Sequence, residues 1–436
     1  MDSEKQKLLR DFREVYNNPE KYVVKNQDGT LDCSRLQEFF NRFVKVYLHK
    51  DMAEITPEFP SLVIAKFKGA AAHSKKTKET AGRFSNEPLG ITINMEKFEG
   101  LSKGALREAI IGMLPIVCHE YQHFKQYVMV KASKGELNLS EEQMKKLKSQ
   151  FVSKQDPESV LDDCLFGGMK TDAIKFVRLM DPQLYAKAKR SDSVLSRLNI
   201  QELGGDSVLR SHYFLKANEV DARESSILFY DEFVRDVESY NFTHGNKFVN
   251  ENGQEQTLEE VSVSKLKRVG AIQRAKNSID NKRHSHRVME TFCESMKNMK
   301  PEKILSYIEM IEKKFPESAS ETRSQVLNQF AAVLEVACHE KGPAEAQEFL
   351  IGIMKIAKGP HKAIVEKYIP DLLKKVGEKT VEKVSEDEFM QYRTVDESSR
   401  PTYSQTKTAN QRTMTEEEKS KVANNEEVRM MSRYDD

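Results

Sequence analysis

Two histidines and a glutamate are spaced for metal chemistry in the stretch His119-Glu120-Tyr121-Gln122-His123. On an α-helix, side chains four residues apart lie on one face, so both imidazoles can bind a single ion. Glu120 emerges beside them, where its carboxylate can reach a water molecule at that ion. This is the arrangement that a zinc hydrolase needs to activate water.

The motif lies in an apolar segment, which we expect to form a helix that begins after residues 101–104, with Ser102 as N-cap, and runs towards Lys131. Pro115 predicts either a bend or a junction between two helices. Apolar neighbours should bury the polar side chains of the motif, and an unpaired buried polar group costs roughly 1–3 kcal/mol. A metal ion would supply the partner. The alternative is that His119 and His123 are core histidines held by hydrogen bonds.

A third ligand has to come from elsewhere, because a catalytic zinc ion takes three protein ligands and keeps one open position. We predict Glu219, at the start of a second helical segment. Ala222 is small enough to let the two helices approach closely, and Asp221 or Glu224 could accept a hydrogen bond from a ligand imidazole. The alternative is that Glu219 is one of many glutamates on a helix surface.

A donor that stabilises the transition state is also expected near the metal, and His212, Tyr213 and Tyr230 are the candidates. No spacing argument selects one of them. For His284 and His286 we favour a solvent-exposed helix face.

Two strands are predicted before the motif, at 61–67 and 90–95. The second strand has two interpretations. It is either the edge strand of an active site, with backbone groups free to pair with a peptide, or a strand that closes a small sheet.

These segments resemble the zincin metallopeptidases of the gluzincin type over roughly 61–130 and 211–235. The resemblance lies in the strand ending Ile-x-Ile-Asn at 91–94, the HExxH helix, and the later Asn-Glu-x-x-Ala at 218–222. It implies that His119, His123 and Glu219 bind Zn²⁺ and that Glu120 is the catalytic general base.

The chain also departs from this family pattern. Gln126 and Met129 exclude the metzincin extension of the motif, which requires Gly and His there. Many gluzincins carry Asp four residues after the third ligand, where this chain has Arg223. The long separation of His123 and Glu219 makes 131–210 an insertion.

The predicted fold class is α+β and predominantly helical, with a zincin-like core, a small β-sheet and a C-terminal helical module. We divide the chain into an N-terminal helical segment (1–60), the metallopeptidase core with its helical insertion (61–240), a C-terminal helical domain (241–378) and a disordered tail (379–436). Within the insertion, Gly167-Gly168 is expected to break the chain into short helices. Helices are also predicted at 3–17, 34–49, 301–314, 319–340, 343–357 and 361–375.

The amino-acid composition limits the kinds of partner that we expect for this chain. The 69 basic residues nearly balance the 68 acidic ones, so no net charge points to nucleic acid or to a membrane surface. Five scattered cysteines indicate reduced thiols. No apolar signal region or membrane-spanning run is present in the sequence, and we expect a cytoplasmic protein.

The sequence therefore predicts a zinc metallopeptidase acting on a peptide or protein substrate. One alternative is an inactive, zincin-like helical scaffold that binds a protein partner through its C-terminal helices. Another is a hydrolase of a non-peptide amide, which the motif equally allows.

Overall fold

The computed structural model describes residues 3–67, 81–151, 157–191, 208–209, 212, 215–245, 247–250, 252–256, 287–359 and 361–391, with side chains as far as 377. Tyr213, His284 and His286, which the sequence analysis considered, lie outside these ranges, as do 392–436 of the predicted tail. The chain divides into two compact units, Met1–Val376 and Gly377–Asp436.

The protein is predominantly helical with small sheets. Its helices include α1 (Ser3–Asn17), α2 (Ser34–Phe43), α3 (Lys103–Ser133), α4 (Glu141–Ser149), α5 (Pro157–Met180), α6 (Pro182–Arg190), α7 (Ala217–His244), α8 (Pro301–Lys314), α9 (Ser320–Lys341), α10 (Pro343–Ile356) and α11 (His361–Gln391). The periodic apolar residues that predicted α1 and α8–α11 face the interior. The predicted helix at 34–49 is α2 continued by a π-helical turn, Val44–Leu48. The last helix reaches beyond residue 379, where the disordered tail was predicted to begin.

Among the described residues, strands occur as two short hairpins and one three-stranded sheet. The hairpins pair β1 (Val24–Lys25) with β2 (Leu31–Asp32) and β6 (Phe248–Val249) with β7 (Glu255–Gln256). The larger sheet contains β3 (Ser61–Ala65), β4 (Gly82–Asn86) and β5 (Leu89–Asn94) in the order β3-β5-β4. In this sheet β5 is parallel to β3 and antiparallel to β4.

The position of β5 corrects one interpretation of the sequence. The strand predicted at 90–95 has neighbours on both sides, so it is the centre of the sheet and not its active-site edge. Ile91 and Ile93 are fully buried. The edge strand beside the HExxH helix is β4, which the sequence analysis did not identify.

Helix α3, which carries the motif, begins as predicted. The Ser102 hydroxyl caps it by accepting a hydrogen bond from the Ala105 amide at 3.4 Å. The helix continues through Pro115 as one element of 31 residues, so two separate helices do not meet there. Most of its side chains around the motif are buried.

Helix α5 contradicts the expectation of short helices, because it runs unbroken through Gly167-Gly168. Each glycine in a helix costs about 1 kcal/mol relative to alanine, so tertiary contacts must compensate. Val160 is buried in one hydrophobic cluster, and Phe176 and Met180 are buried in another. Packing at both ends of α5 therefore overrides the local preference of the two glycines.

The two clusters organise the unit Met1–Val376. The first cluster gathers buried residues of α1, α2, the β3–β5 sheet, α3 and α7, and contains the motif helix. The second gathers the second half of α5 with α8–α11. Within the described ranges, no helix combines the length and the apolar character needed to cross a lipid bilayer.

The close contact between β4 and α3 is testable at Gly82. A Cβ atom at this position would lie 2.7 Å from Ile116 Cγ2 and 3.1 Å from Glu120 Cγ. We expect Gly82→Ala to lower the free energy of unfolding by about 1–3 kcal/mol, as measured by urea denaturation.

Gly168→Ala is the matched control for this substitution. A Cβ atom at Gly168 has no atom within 4 Å, so alanine should stabilise α5 by up to about 1 kcal/mol. Equal stabilisation by the two substitutions would contradict the packing of β4 on α3.

Candidate metal centre

Three predicted ligands meet where the start of α7 crosses α3. The Nε2 atoms of His119 and His123 lie 3.2 Å apart. Glu219 Oε2 lies 3.6 Å from the His119 nitrogen, and Glu219 Oε1 lies 3.7 Å from the His123 nitrogen. Their ligand atoms all fall within 4.8 Å of one another, and no other group of His, Cys, Asp and Glu in the described ranges does the same.

The electrostatics of His119 favour a neutral ring. Burial is the main cause that lowers the pKa of His119 to about 3; the neighbouring His123 acts in the same direction, and Glu219 opposes the shift. His119 also makes a hydrogen bond with the backbone of Ala222. A neutral imidazole with a free nitrogen is the form that binds a metal ion.

Arg223 contacts Glu219, the predicted third ligand. Its Nη2 lies 3.2 Å from Glu219 Oε2, one helical turn away in α7. This is the position where many gluzincins carry Asp, so the departure noted in the sequence places a cation on the ligand carboxylate. Arg223 is largely buried, and the pair reduces the charge that α7 brings to the site.

Glu120 lies beside the three ligands and is held by the edge strand. Its Oε2 accepts a hydrogen bond from the Phe84 amide at 2.8 Å. Burial raises the pKa of Glu120 to about 7; His123 opposes this shift, Glu219 adds to it, and the Phe84 amide and Arg83 oppose it. A carboxylate with a pKa near neutrality can both accept and return a proton.

The site opens into a cavity of about 630 Å³. Its walls come from β4, α3, α5 and the start of α7, and include Arg83, Phe84, Tyr127, Val130, Cys164 and Leu165. The Asn94 amide donates to the Ala81 carbonyl across the sheet, so the alternate residues Gly82, Phe84 and Asn86 direct their backbone groups towards the free edge. The Phe84 bond to Glu120 agrees with this direction.

The candidate stabilisers lie elsewhere. His212 is buried, and its Nε2 lies 3.0 Å from both the Gly167 carbonyl and Thr171 Oγ1. Tyr230 is buried in the first hydrophobic cluster. Neither residue lines the cavity, and Tyr213 is outside the described residues.

Several groups at the site were missed in the sequence analysis. Arg83 and Tyr127 line the cavity, and Gln126 Oε1 lies 2.7 Å from His123 Nδ1. The spacing of Gln126, three residues after His123, was a usable signal, because such pairs are neighbours on a helix. Arg83 had no such signal, since it depends on the pairing of β4 with β5. Asp221, predicted as a partner of a ligand imidazole, instead accepts a hydrogen bond from Gln126 at 3.0 Å.

Comparisons with protein-family models, with curated proteins and with solved structures found no match to this chain.

His212 is expected to affect acid stability. Burial lowers its pKa to about 3 in the folded chain, whereas the unfolded chain binds the proton near the ordinary pKa of about 6.5. Above about pH 6.5 both states are neutral and the group has no effect; below it only the unfolded state is protonated, so stability is lost as pH falls towards about 3. Chemical denaturation at about pH 7.5 and 5 should therefore show a smaller loss for His212→Gln than for the wild type.

Glutamine at 212 retains a donor for the Gly167 carbonyl but does not titrate in this range. His244→Gln, at an exposed position at the end of α7, is the control and should keep the pH dependence of the wild type. An unchanged pH dependence in His212→Gln would contradict the burial of a neutral ring.

Proposed function

We propose that this protein is a zinc-dependent hydrolase, and specifically a metallopeptidase of the gluzincin type. The observation that carries the proposal is the convergence of His119, His123 and Glu219, with Glu120 beside them. Two imidazoles, one carboxylate and an adjacent glutamate are the set that catalytic zinc sites use.

The donor geometry fits a zinc ion. Bonds of about 2.0–2.1 Å in a tetrahedral arrangement place ligand atoms about 3.3 Å apart. The two imidazole nitrogens are 3.2 Å apart and lie 3.6 and 3.7 Å from different oxygens of Glu219; one ligand atom from each residue falls within 4.8 Å of the others, close enough for one ion to contact all three. When bound, zinc supplies a Lewis acid that polarises a carbonyl group and lowers the pKa of water towards about 7.

Glu120 is the proposed general base. Its carboxylate takes a proton from the attacking water and then delivers it to the nitrogen of the leaving amine. In the metal-free chain, burial raises the pKa of this carboxyl group to about 7. The Phe84 amide fixes one carboxylate oxygen and leaves the other for the proton.

The edge strand supports a peptide substrate. An extended peptide can add to a free strand edge through backbone hydrogen bonds, with its side chains directed into the adjoining pockets. Within the described residues, strand β4 has such an edge along the cavity; Glu120 already binds its Phe84 amide, and the Phe84 ring lies 6.1 Å from that of Tyr127. We therefore propose peptide or protein substrates bound in extended form.

Arg83 takes the place of the transition-state stabilisers considered from the sequence. It lines the cavity and acts electrostatically on Glu120. A guanidinium group in this position can donate to an oxygen that becomes negatively charged during the reaction.

Zinc content and peptide cleavage test the proposal together. We expect the purified chain to hold about one zinc ion, measured by elemental analysis. Glu120→Gln should keep the metal and lose about 10²- to 10⁴-fold in cleavage of a peptide library, because only the base is removed. His123→Ala should lose the metal.

The test of Glu219 requires a control substitution on the same helix, α7. Glu219→Gln should weaken zinc binding, while Glu232→Gln, at an exposed position of α7, should leave both metal and activity unchanged. A wild-type chain that binds no zinc would overturn the proposed function.

A further inference from the structure

We propose that Gln126 and Asp221 form a buried relay that orients His123 for metal binding: Gln126 contacts the imidazole, and Asp221 holds Gln126 in place. The inference rests on the proposed function, because it gives a role to the groups behind a proposed zinc ligand. Both are positioning residues, since neither reaches the metal position itself.

The hydrogen bonds around Gln126 define which way its amide faces. Its Nε2 lies 2.8 Å from the Asn218 carbonyl and 3.0 Å from Asp221 Oδ2, and both of these atoms only accept. The amide oxygen therefore faces His123, 2.7 Å from Nδ1. Because an amide oxygen cannot donate, Nδ1 of His123 carries a proton, which leaves Nε2 as the ring nitrogen that can bind a metal ion.

This tautomer directs the free nitrogen of His123 to the metal position. Its Nε2 lies 3.2 Å from that of His119 and 3.7 Å from Glu219. Without Gln126, the ring could exchange its proton between the two nitrogens or rotate. Outer partners of this kind commonly change metal affinity by about 10- to 100-fold.

Asp221 supplies the charge behind the relay. It is fully buried in α7, and its Oδ2 accepts from Gln126 and, at 2.9 Å, from Gln122. Hydrogen bonds to a carboxylate are stronger than those between neutral groups. The charge polarises the Gln126 amide and strengthens its oxygen as an acceptor for His123.

Gln122 provides a matched comparison within the same helix. It is as buried as Gln126 and donates to the same oxygen of Asp221. Its other partners are the Gln150 carbonyl and the Ser225 hydroxyl, and no hydrogen bond joins it to a ligand histidine among the described residues. If the two glutamines served only to fill the α3–α7 contact, their removal would have the same effect.

The zinc affinity of the full chain distinguishes a role in orienting His123 from a role in filling the α3–α7 contact. We expect Gln126→Leu to weaken zinc binding by about 10- to 100-fold in competition with a chromophoric chelator. Gln122→Leu should lower the thermal stability of the zinc-free protein to a similar degree and keep the affinity within about twofold. Equal affinities in the two variants would overturn the relay.

The tautomer of His123 provides a second measurement, which a change in packing alone would not affect. In zinc-free protein labelled with ¹⁵N-histidine, NMR should show His123 protonated on Nδ1 in the wild type and in Gln122→Leu, but mixed in Gln126→Leu. This measurement needs no metal. A mixed population in the wild type would overturn the relay even if the variants differ in affinity.

Asp221→Asn tests the charge while keeping the shape of the network, since the asparagine oxygen can accept from both glutamines. We expect weaker zinc binding in the wild-type background and little further effect in Gln126→Leu, because the charge acts through Gln126. Additive effects would show that Asp221 acts independently and would overturn the relay.

These outcomes are distinct from a failure of the proposed function. A wild-type chain that binds no zinc contradicts the proposed hydrolase, and the NMR measurement still decides the relay. A chain that binds zinc and cleaves peptides, with Gln126→Leu and Gln122→Leu alike, contradicts only the relay.

Discussion

The contact between α3 and α7 brings two imidazoles and two carboxylates together, with Glu120 buried and the other three groups partly buried, and much of the surrounding structure supplies their partners. Desolvation disfavours charge on both kinds of group, so it lowers the pKa of His119 and raises that of Glu120. Glu219 and the Ala222 backbone come from a single turn of α7, and the Phe84 amide comes from β4. A site of this composition can exist beside an apolar core because α7 and β4 deliver partners to it.

Local patterns in the sequence predicted the parts of the fold that local forces decide. The apolar period of the C-terminal helices and the Ser102 cap both depend on residues close in the chain. The edge strand did not follow this rule, because Gly82–Asn86 has few β-branched residues and becomes a strand by pairing with β5. Whether a strand is central or at the edge is a property of its neighbours, which alternation of apolar residues cannot reveal.

The residues of the candidate site also fall into two groups: those that local spacing predicts and those whose surroundings depend on distant parts of the chain. The spacing of His119 and His123 is local, and Glu219 followed from the number of ligands that zinc requires. The grouping of the three in space agrees with that prediction, while the metal itself stays a prediction. The surroundings of these residues were harder to foresee, because the partners of Gln126 belong to a helix more than ninety residues away in the chain. His212 was chosen for its chemistry alone, and its neighbours in α5 place it in the interior.

The position of Glu219, the predicted third ligand, depends on a helix that contributes none of the predicted ligands. Asp163 of α5 accepts a hydrogen bond from the amide of Ala217, the first residue of α7. The first amides of a helix lack partners within it, and a carboxylate there also interacts favourably with the helix dipole. This bond fixes the start of α7 two residues before Glu219. The second half of α5 is buried against α8–α11. The C-terminal helices therefore help to set the position of Glu219 through α5, although they carry no residue of the site.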